Sequence, residues 1–267
     1  HGNLTGKETL QRIAILQNTL LEDASAAHVK RIHMVQLPMQ SRFVDKMELD
    51  HADSSISIYL QSDQRDRATR AQFALLRQLL SQPLYTELRT RRQLGYFVFT
   101  YSIDLIQVPS VVIALQSPDS SPAMLHQAVE EFLVDFEQQL LALDDSEFQR
   151  NVLAVISQVE EQDKQLRHRT NRYWGAITRE DYRFDASPLF ADALRGITRQ
   201  QIAELYRQLF IDKENGRLVV YSAGHSQTHP SNALPEPFSA MTQVESIEQF
   251  KRDKTLLPPL SDVAGIE

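Results

Sequence analysis

The apolar period of the sequence changes from two residues to about 3.6 within a short stretch, and this change constrains the fold more than any other feature. Ile56, Ile58 and Leu60 alternate with polar residues, which is typical of a strand with one buried face. Directly afterwards, between positions 65 and 80, apolar residues recur at helical spacing. The chain is therefore expected to form a sheet covered by helices.

The remaining strands and helices are predicted from the same two periods. Further strands are expected at 32–37, 43–49, 95–103, 111–116 and 217–222, and further helices at 5–27, 121–140, 148–166, 169–177 and 198–210. The first and last of these helices begin with capping-box patterns, Thr5 with Glu8 and Thr198 with Gln201. Pro83 is expected to interrupt the helix before a short piece at 84–89, and the chain is expected to be loop-like from Gly224 onward. Strands and helices segregate along the chain, which predicts an α+β fold with an antiparallel-dominated sheet covered by helices on one face.

Composition narrows the classes of function. The 267 residues contain no cysteine, which excludes disulfides, thiolate metal sites and cysteine nucleophiles and fits either periplasm or cytoplasm. The 28 basic and 35 acidic residues are interspersed, which argues against a nucleic-acid partner. No apolar run approaches the roughly 20 residues of a membrane span, so no membrane partner is expected. A signal peptide and an initiator Met are both missing, which indicates a piece of a longer protein.

The histidines form no recognisable catalytic metal motif. A zinc peptidase needs two histidines one helical turn apart with a glutamate beside them. Of the eight histidines, only His225 and His229 have that spacing, and Gly224 and Pro230 oppose a helix there. We therefore predict no metal site, no cofactor site and no complete catalytic apparatus within this chain.

The segment around Arg89 and Tyr96 carries the clearest candidate chemistry. It is expected to be a helix end that releases into a strand, with Gly95 at the junction. Arg89 would lie in the last helical turn and Tyr96 at the first strand position, so both polar tips could project toward the same open end of the sheet. An arginine donates to carbonyls or carboxylates, and a tyrosine hydroxyl can donate to a developing oxyanion.

An interpretation without chemistry stays open for the same residues. Arg89, Arg91 and Arg92 could form a solvated helix end that the helix dipole favours, while Tyr96 simply packs. Trp174 and the pair Phe132 and Phe136 are interpreted as core packing, and not as a substrate platform or cofactor site.

Four landmarks resemble one known family. The first, Leu88-Arg89-Thr90-x-x-Gln93-Leu94-Gly95-Tyr96-x-Val98, resembles the signature in the last domain of the pitrilysin/insulinase family of zinc metallopeptidases, which includes insulin-degrading enzyme. Positions 1–5, 173–185 and 250–252 are similar to further features of the family, in family order, over nearly the whole chain.

The resemblance implies a clamshell of four homologous α+β domains. Residues 1–30 would end the third domain, and residues 31–267 would form the fourth. Zinc would be bound through an inverted His-x-x-Glu-His motif by the N-terminal half, which is absent here. That half and peptide substrates would be the partners of this chain, and bacterial relatives suggest the periplasm.

The same resemblance implies roles for two residues. Arg89 would hold a substrate carbonyl, and the hydroxyl of Tyr96 would approach the scissile carbonyl while zinc-activated water attacks. The chain would then be the non-zinc, substrate-clamping C-terminal half of a zinc metalloendopeptidase, inactive by itself. The alternatives are a catalytically inactive homologue that acts as a binding or scaffold module, and an unrelated ferredoxin-like interaction domain if the landmarks are chance.

Overall fold

A computed structural model describes residues 4–20, 31–103, 105–178, 184, 186–225 and 234–259. Its strands are β1 (Met34–Val35), β2 (Arg42–Lys46), β3 (Ser54–Gln61), β4 (Phe97–Tyr101), β5 (Ser110–Ser117), β6 (Arg217–Ser222), β7 (Thr242–Gln243) and β8 (Leu256–Leu257). Its α-helices are α1 (Gly6–Leu20), α2 (Arg67–Leu84), α3 (Pro122–Ala142), α4 (Asp145–Val159), α5 (Leu166–Thr178), α6 (Ala186–Arg195), α7 (Arg199–Tyr206) and α8 (Ile247–Arg252). None of these helices is long and apolar enough to cross a membrane.

The main sheet has six strands in the order β4-β5-β3-β6-β2-β7. Strand β3 pairs antiparallel with β5 and β6, and β5 pairs antiparallel with β4. However, β2 runs parallel to both β6 and β7. The prediction of an antiparallel-dominated sheet was therefore wrong, because the sheet is mixed. Its parallel partners are far apart in sequence, so the order of strands along the chain could not reveal this pairing.

The core lies between the sheet and helices α2, α3, α4, α6 and α7. Ile56, Ile58 and Leu60 face it and are almost completely buried, as their alternation predicted. Phe132 and Phe136 of α3 stack in the same core with ring centroids 5.5 Å apart. Their interpretation as packing residues is confirmed.

Helix α2 does not stop at Pro83, contrary to the sequence prediction. It runs to Leu84 and continues directly as a π-helical segment, Tyr85–Arg91. Leu80, Leu84 and Leu88 are completely buried along this course. Burial of that apolar row favours continuation, which offsets the backbone hydrogen bond that a proline cannot make.

Several helix boundaries follow from capping residues. Thr198 and Gln201 form the predicted capping box of α7, and Ser121 and Asp144 cap α3 and α4.

Two predictions need correction: α4 ends at Val159 and not near 166, and the chain after Gly224 is not simply a loop. It adds β7, α8 and β8, and β8 pairs antiparallel with β1.

Helix α1, like the short helix α8, buries none of its residues. Thr5 and Glu8 form its predicted capping box. Its apolar side chains are exposed: Leu10, Ile13, Ile15, Leu16 and Leu20. The rest of the helix that was predicted to reach residue 27 lies outside the described residues.

Candidate functional site

The predicted helix-to-strand segment forms a compact junction between α2 and β4, which we call the first junction (residues 85–97). The N–H of Arg92 donates to the carbonyl of Glu87 at 2.9 Å, and the N–H of Leu94 donates to that of Leu88 at 3.0 Å. Between them, Gln93 has a φ of 53°, in the left-handed region. The junction is thus a C-cap of a π-helical turn, in which N–H groups on both sides of a left-handed residue bond to carbonyls five and six residues earlier.

Gly95 brings this junction against the neighbouring strand. A Cβ at this position would lie 1.9 Å from the backbone oxygen of Gln116 in β5, so only glycine fits. The prediction that Gly95 lies at the junction between helix and strand is confirmed by this geometry.

Arg89 and Tyr96 lie on either side of this turn. The Cζ atom of Arg89 lies 4.8 Å from the ring centroid of Tyr85, a cation–π contact. Within the described part of the chain, Arg89 forms no salt bridge, and 80% of Tyr96 is exposed. The two residues therefore flank the turn, with Arg89 half-buried and Tyr96 exposed, and the alternative in which Tyr96 packs inside the fold is wrong.

The other two arginines of the junction bind carboxylates. Arg92 contacts Glu87 at 3.1 Å and Glu131 of α3 at 2.7 Å, and Arg91 contacts Glu87 at 3.2 Å. The hydrogen bond from Arg92 is the largest influence on Glu87 and lowers the pKa of that carboxyl. Arg92 thus fastens the junction to α3, whereas Arg91 remains largely solvated.

The structure also reveals a second junction with the same backbone design (residues 207–217), which the sequence analysis missed. Helix α7 ends in a π-helical segment, Arg207–Ile211, before β6. The N–H of Asp212 donates to the carbonyl of Arg207 at 2.8 Å, and that of Glu214 donates to Gln208 at 2.9 Å. Lys213, between them, has a φ of 56°. Each junction has a left-handed residue four positions before its strand, but Gln and Lys do not indicate that conformation in a sequence.

Charged groups at the second junction are paired and partly buried. Glu130 of α3 accepts from Lys213 and lies 3.2 Å from Arg217, which is almost completely buried. Burial opposes ionisation of Glu130, but the hydrogen bond from Lys213 and the charge of Arg217 outweigh it and lower its pKa. Burial lowers the pKa of neighbouring His126.

Metal ligands do not cluster in the part of the chain that the structure describes. No group of three or more His, Asp or Glu side chains there could hold a metal ion. His225 contacts Asp50 at 2.9 Å, and its sequence partner His229 lies outside the described residues. The described residues therefore do not fit a zinc ion by themselves.

One packing prediction for the α5 region was wrong. Trp174 is 66% exposed and does not belong to the core. It lies with Tyr173, Ile177 and Phe184 around a surface depression. Ala176 is the residue of α5 that is buried, so the helix faces the core with a different side from the one that carries Trp174.

Comparison with known proteins shows what the chain is similar to. Residues 75–174, which include the first junction, match the model of "PQQ synthase PqqF-like, C-terminal lobe domain 4". Insulin-degrading enzyme of Bos taurus is 28% identical over 215 residues, which are 78% of this chain and 21% of that protein. Protease 3 of Salmonella typhi is 23% identical over 248 residues, 93% of this chain and 26% of that protein.

Solved structures share the fold. The crystal structure of pitrilysin superposes with a TM-score of 0.81 and 22% identity, over 97% of this chain and 27% of that one. A peptidase M16 inactive domain from Pseudomonas fluorescens has a TM-score of 0.58 with 13% identity, over 85% of this chain and 53% of that one. The first half of the periplasmic protease PqqL from Escherichia coli has a TM-score of 0.62 with 15% identity, over 84% of this chain and 50% of that one.

Residues 75–174 of the chain thus match a PqqF-like C-terminal lobe domain, and its fold is shared with domains of M16 peptidases. Over most of its length the chain is similar to insulin-degrading enzyme and to pitrilysin. It spans about a fifth to a quarter of the curated relatives that it matches, 21% of the bovine enzyme and 26% of the Salmonella protein.

Proposed function

We propose that this chain is the non-zinc, substrate-clamping part of a metalloendopeptidase and that Arg89 and Tyr96 are its working residues. The observation that carries the proposal is the state of these two side chains. They flank a hydrogen-bonded helix C-cap, and neither is neutralised or fully buried by the described residues around it. Side chains that serve packing alone are normally covered or paired.

The phenol of Tyr96 suits an oxyanion donor. Its hydroxyl can donate to a substrate carbonyl oxygen as negative charge develops there. Its backbone is fixed by Gly95, which sits against Gln116, so the hydroxyl needs little reorganisation when the peptide arrives.

The guanidinium of Arg89 suits a backbone clamp. It has several N–H donors and rests on the ring of Tyr85, which limits its orientations without using those donors. It could therefore hold one carbonyl of an extended peptide while Tyr96 acts on the next.

Domain boundaries and partners follow from the same proposal. Residues 1–30 would complete a third domain and residues 31–267 would form the fourth. The exposed apolar side chains of α1 support this division, because such a stripe needs an apolar partner that the described part of the chain does not supply. The partners would be the N-terminal half of the same enzyme and peptide substrates. Zinc, which would activate the water, would be bound by that half. The likeness to a periplasmic protease supports a location in the periplasm.

The proposal is tested in the full-length parent enzyme by a matched pair of arginine variants. Arg89→Gln should reduce kcat/KM for peptide hydrolysis by about 100-fold, because it removes a charged contact to the peptide backbone. Arg91→Gln removes the same charge from the same helical segment and should change kcat/KM by less than about threefold. Equal effects of the two substitutions would contradict the clamp.

A second candidate function is a catalytically inactive scaffold. The likeness to the inactive domain from Pseudomonas fluorescens favours it, since the same fold exists there without activity. This alternative predicts that Arg89→Gln either weakens the binding between the two halves of the protein or has no effect on it. In both cases the rate of peptide hydrolysis would not change.

A further inference from the structure

A cavity of about 340 Å³ lies at the end of β4 opposite Tyr96. One wall is a stripe of α2 that includes Arg70 and Arg77, and another is the turn from β4 into β5 with Tyr101 and Gln107. Phe190 of α6 closes a third side. We call it the α2 cavity.

The charge of this cavity is positive. Among the described residues that line it there is no Asp or Glu. Arg70 lies 5.8 Å from the ring of Phe190, and in the described part of the chain Arg77 makes no salt bridge. Arg65, behind the wall, donates to backbone carbonyls, and burial together with the charge of Arg70 lowers its pKa. Among the described residues, the α2 cavity thus has a cationic lining in which Arg77 is the arginine without a salt bridge.

Gln107 supplies a neutral donor in the same lining. Only 1% of its surface is exposed, and its Nε2 atom has no hydrogen-bond acceptor within the described ranges. Its turn is held in place, because Arg65 donates to the carbonyl of Ile106 at 2.7 Å and Ser110 bonds the backbone of Ile103. A buried amide without an acceptor is unusual and indicates a missing partner.

Strand β4 connects this cavity to the first junction. It is the edge strand of the sheet, so one side of its backbone is open to pair with another extended chain. Phe97, Phe99 and Tyr101 are exposed along it. An extended peptide beside β4 would advance by one residue for each residue of the strand.

From this arrangement we propose that the α2 cavity binds a carboxylate of an extended peptide that lies along β4. Arg77 is the charged donor and Gln107 the neutral one, a combination that matches the two oxygens of a carboxylate. The carboxylate lies about five residues from the peptide bond at Tyr96, the length of β4. This assignment rests on the proposed peptide-clamping function and names a preference within it for acidic peptides.

Isothermal titration of the 267-residue chain tests the proposal. The probes are acetyl-Thr-Val-Thr-Val-Thr-Glu-amide, its Gln counterpart, and acetyl-Thr-Val-Thr-Val-Thr with a free C-terminal carboxylate. The two carboxylate peptides should bind about tenfold more tightly than the Gln peptide, as expected for one charge-assisted contact. The relative strength of the two shows whether a side chain or a C-terminus is preferred.

The variants identify the residues. Arg77→Gln should make the Glu and Gln peptides equal in affinity, and Gln107→Met should reduce the difference about threefold. Arg150→Gln, on α4 and outside the cavity lining, changes charge equally and should preserve the full tenfold difference. Thermal melting confirms that each variant is folded.

Two results would overturn the assignment. One is equal binding of the Glu and Gln peptides, including no binding of either at millimolar concentration. The other is a preference for Glu that persists in folded Arg77→Gln protein. Neither result bears on Arg89, whose effect on kcat/KM is measured separately in the parent enzyme, so failure here is distinguishable from failure of the clamp.

Discussion

The two helix-to-strand junctions share one backbone design and differ in what surrounds it. Arg92, Gln93 and Leu94 of the first junction have the same hydrogen bonds and left-handed turn as Asp212, Lys213 and Glu214 of the second. The second junction leads into β6, inside the sheet, whereas the first leads into β4, at the edge. The same backbone arrangement thus occurs once inside the sheet and once at its open edge.

Charge shows the difference most clearly. At the second junction Glu130 pairs with both Lys213 and buried Arg217. At the first junction Arg89 and Tyr96 form no ion pair within the described residues, on a backbone with the same hydrogen bonds. Paired charges suit a structural position, and available polar groups on a fixed turn suit a binding position. The comparison therefore supports the proposal that the open junction is the functional one.

The largest effect is expected when the second junction loses its carboxylate. Glu130→Gln should lower the free energy of unfolding by about 3–5 kcal/mol, because Arg217 would be left as a buried charge without its partner. Arg89→Gln, at the open junction, should change it by less than about 0.5 kcal/mol. Urea unfolding of both variants measures this contrast, and similar losses in both would break the comparison.

The same carboxylate predicts a pH dependence. The folded-state pKa of Glu130 lies below its usual 4.5, so its stabilising effect is complete above that value and disappears as the pH falls through the folded pKa. The difference in unfolding free energy between wild type and Glu130→Gln should therefore shrink as the pH is lowered from 6 toward 3. A difference that stays constant over this range would show that the ionised carboxylate of Glu130 does not stabilise the folded protein.

A steric change at the first junction comes next. Gly95→Ala would place a Cβ 1.9 Å from the backbone oxygen of Gln116 and should cost about 1–3 kcal/mol of unfolding free energy, because β4 must shift. Gly6→Ala is the matched control, since its Cβ would meet no atom within 4 Å. Thermal unfolding should separate the two variants, and equal melting temperatures would mean that the close contact is not rigid.

The smallest effect concerns the two left-handed turn residues. Gln93→Gly and Lys213→Gly each relieve a positive φ, which should raise stability by up to about 1 kcal/mol. The gain at Lys213 should be smaller or negative, because that substitution also removes the ion pair with Glu130. Chemical denaturation of the two variants tests this order.

Much of the local structure could be predicted from sequence, because caps and alternation are short-range signals. The capping box of Thr198 and the alternation of Ile56, Ile58 and Leu60 are both as predicted. The parallel pairing of β2 with β6 could not be predicted, because it joins segments with most of the chain between them. The exposure of Trp174 was missed because periodicity does not tell which apolar side of a helix meets the core.

The candidate site was predictable only as a set of residues. The segment with Arg89 and Tyr96 was identified from the sequence, and the structure adds the C-cap and the close contact of Gly95 that hold them. The cationic α2 cavity left no sequence signal, because Arg77 and Gln107 meet only through tertiary packing. Their chemical roles remain proposals.

The central claim is tested most directly by removing a single oxygen atom at the open junction. In the full-length parent enzyme, Tyr96→Phe should lower kcat for peptide hydrolysis by about 100-fold while changing KM by less than about threefold, because the hydroxyl acts on charge that exists only in the transition state. The matched change at a buried phenol, Tyr206→Phe, should alter stability and leave kcat near wild type. A Tyr96→Phe enzyme with wild-type kcat would contradict the account.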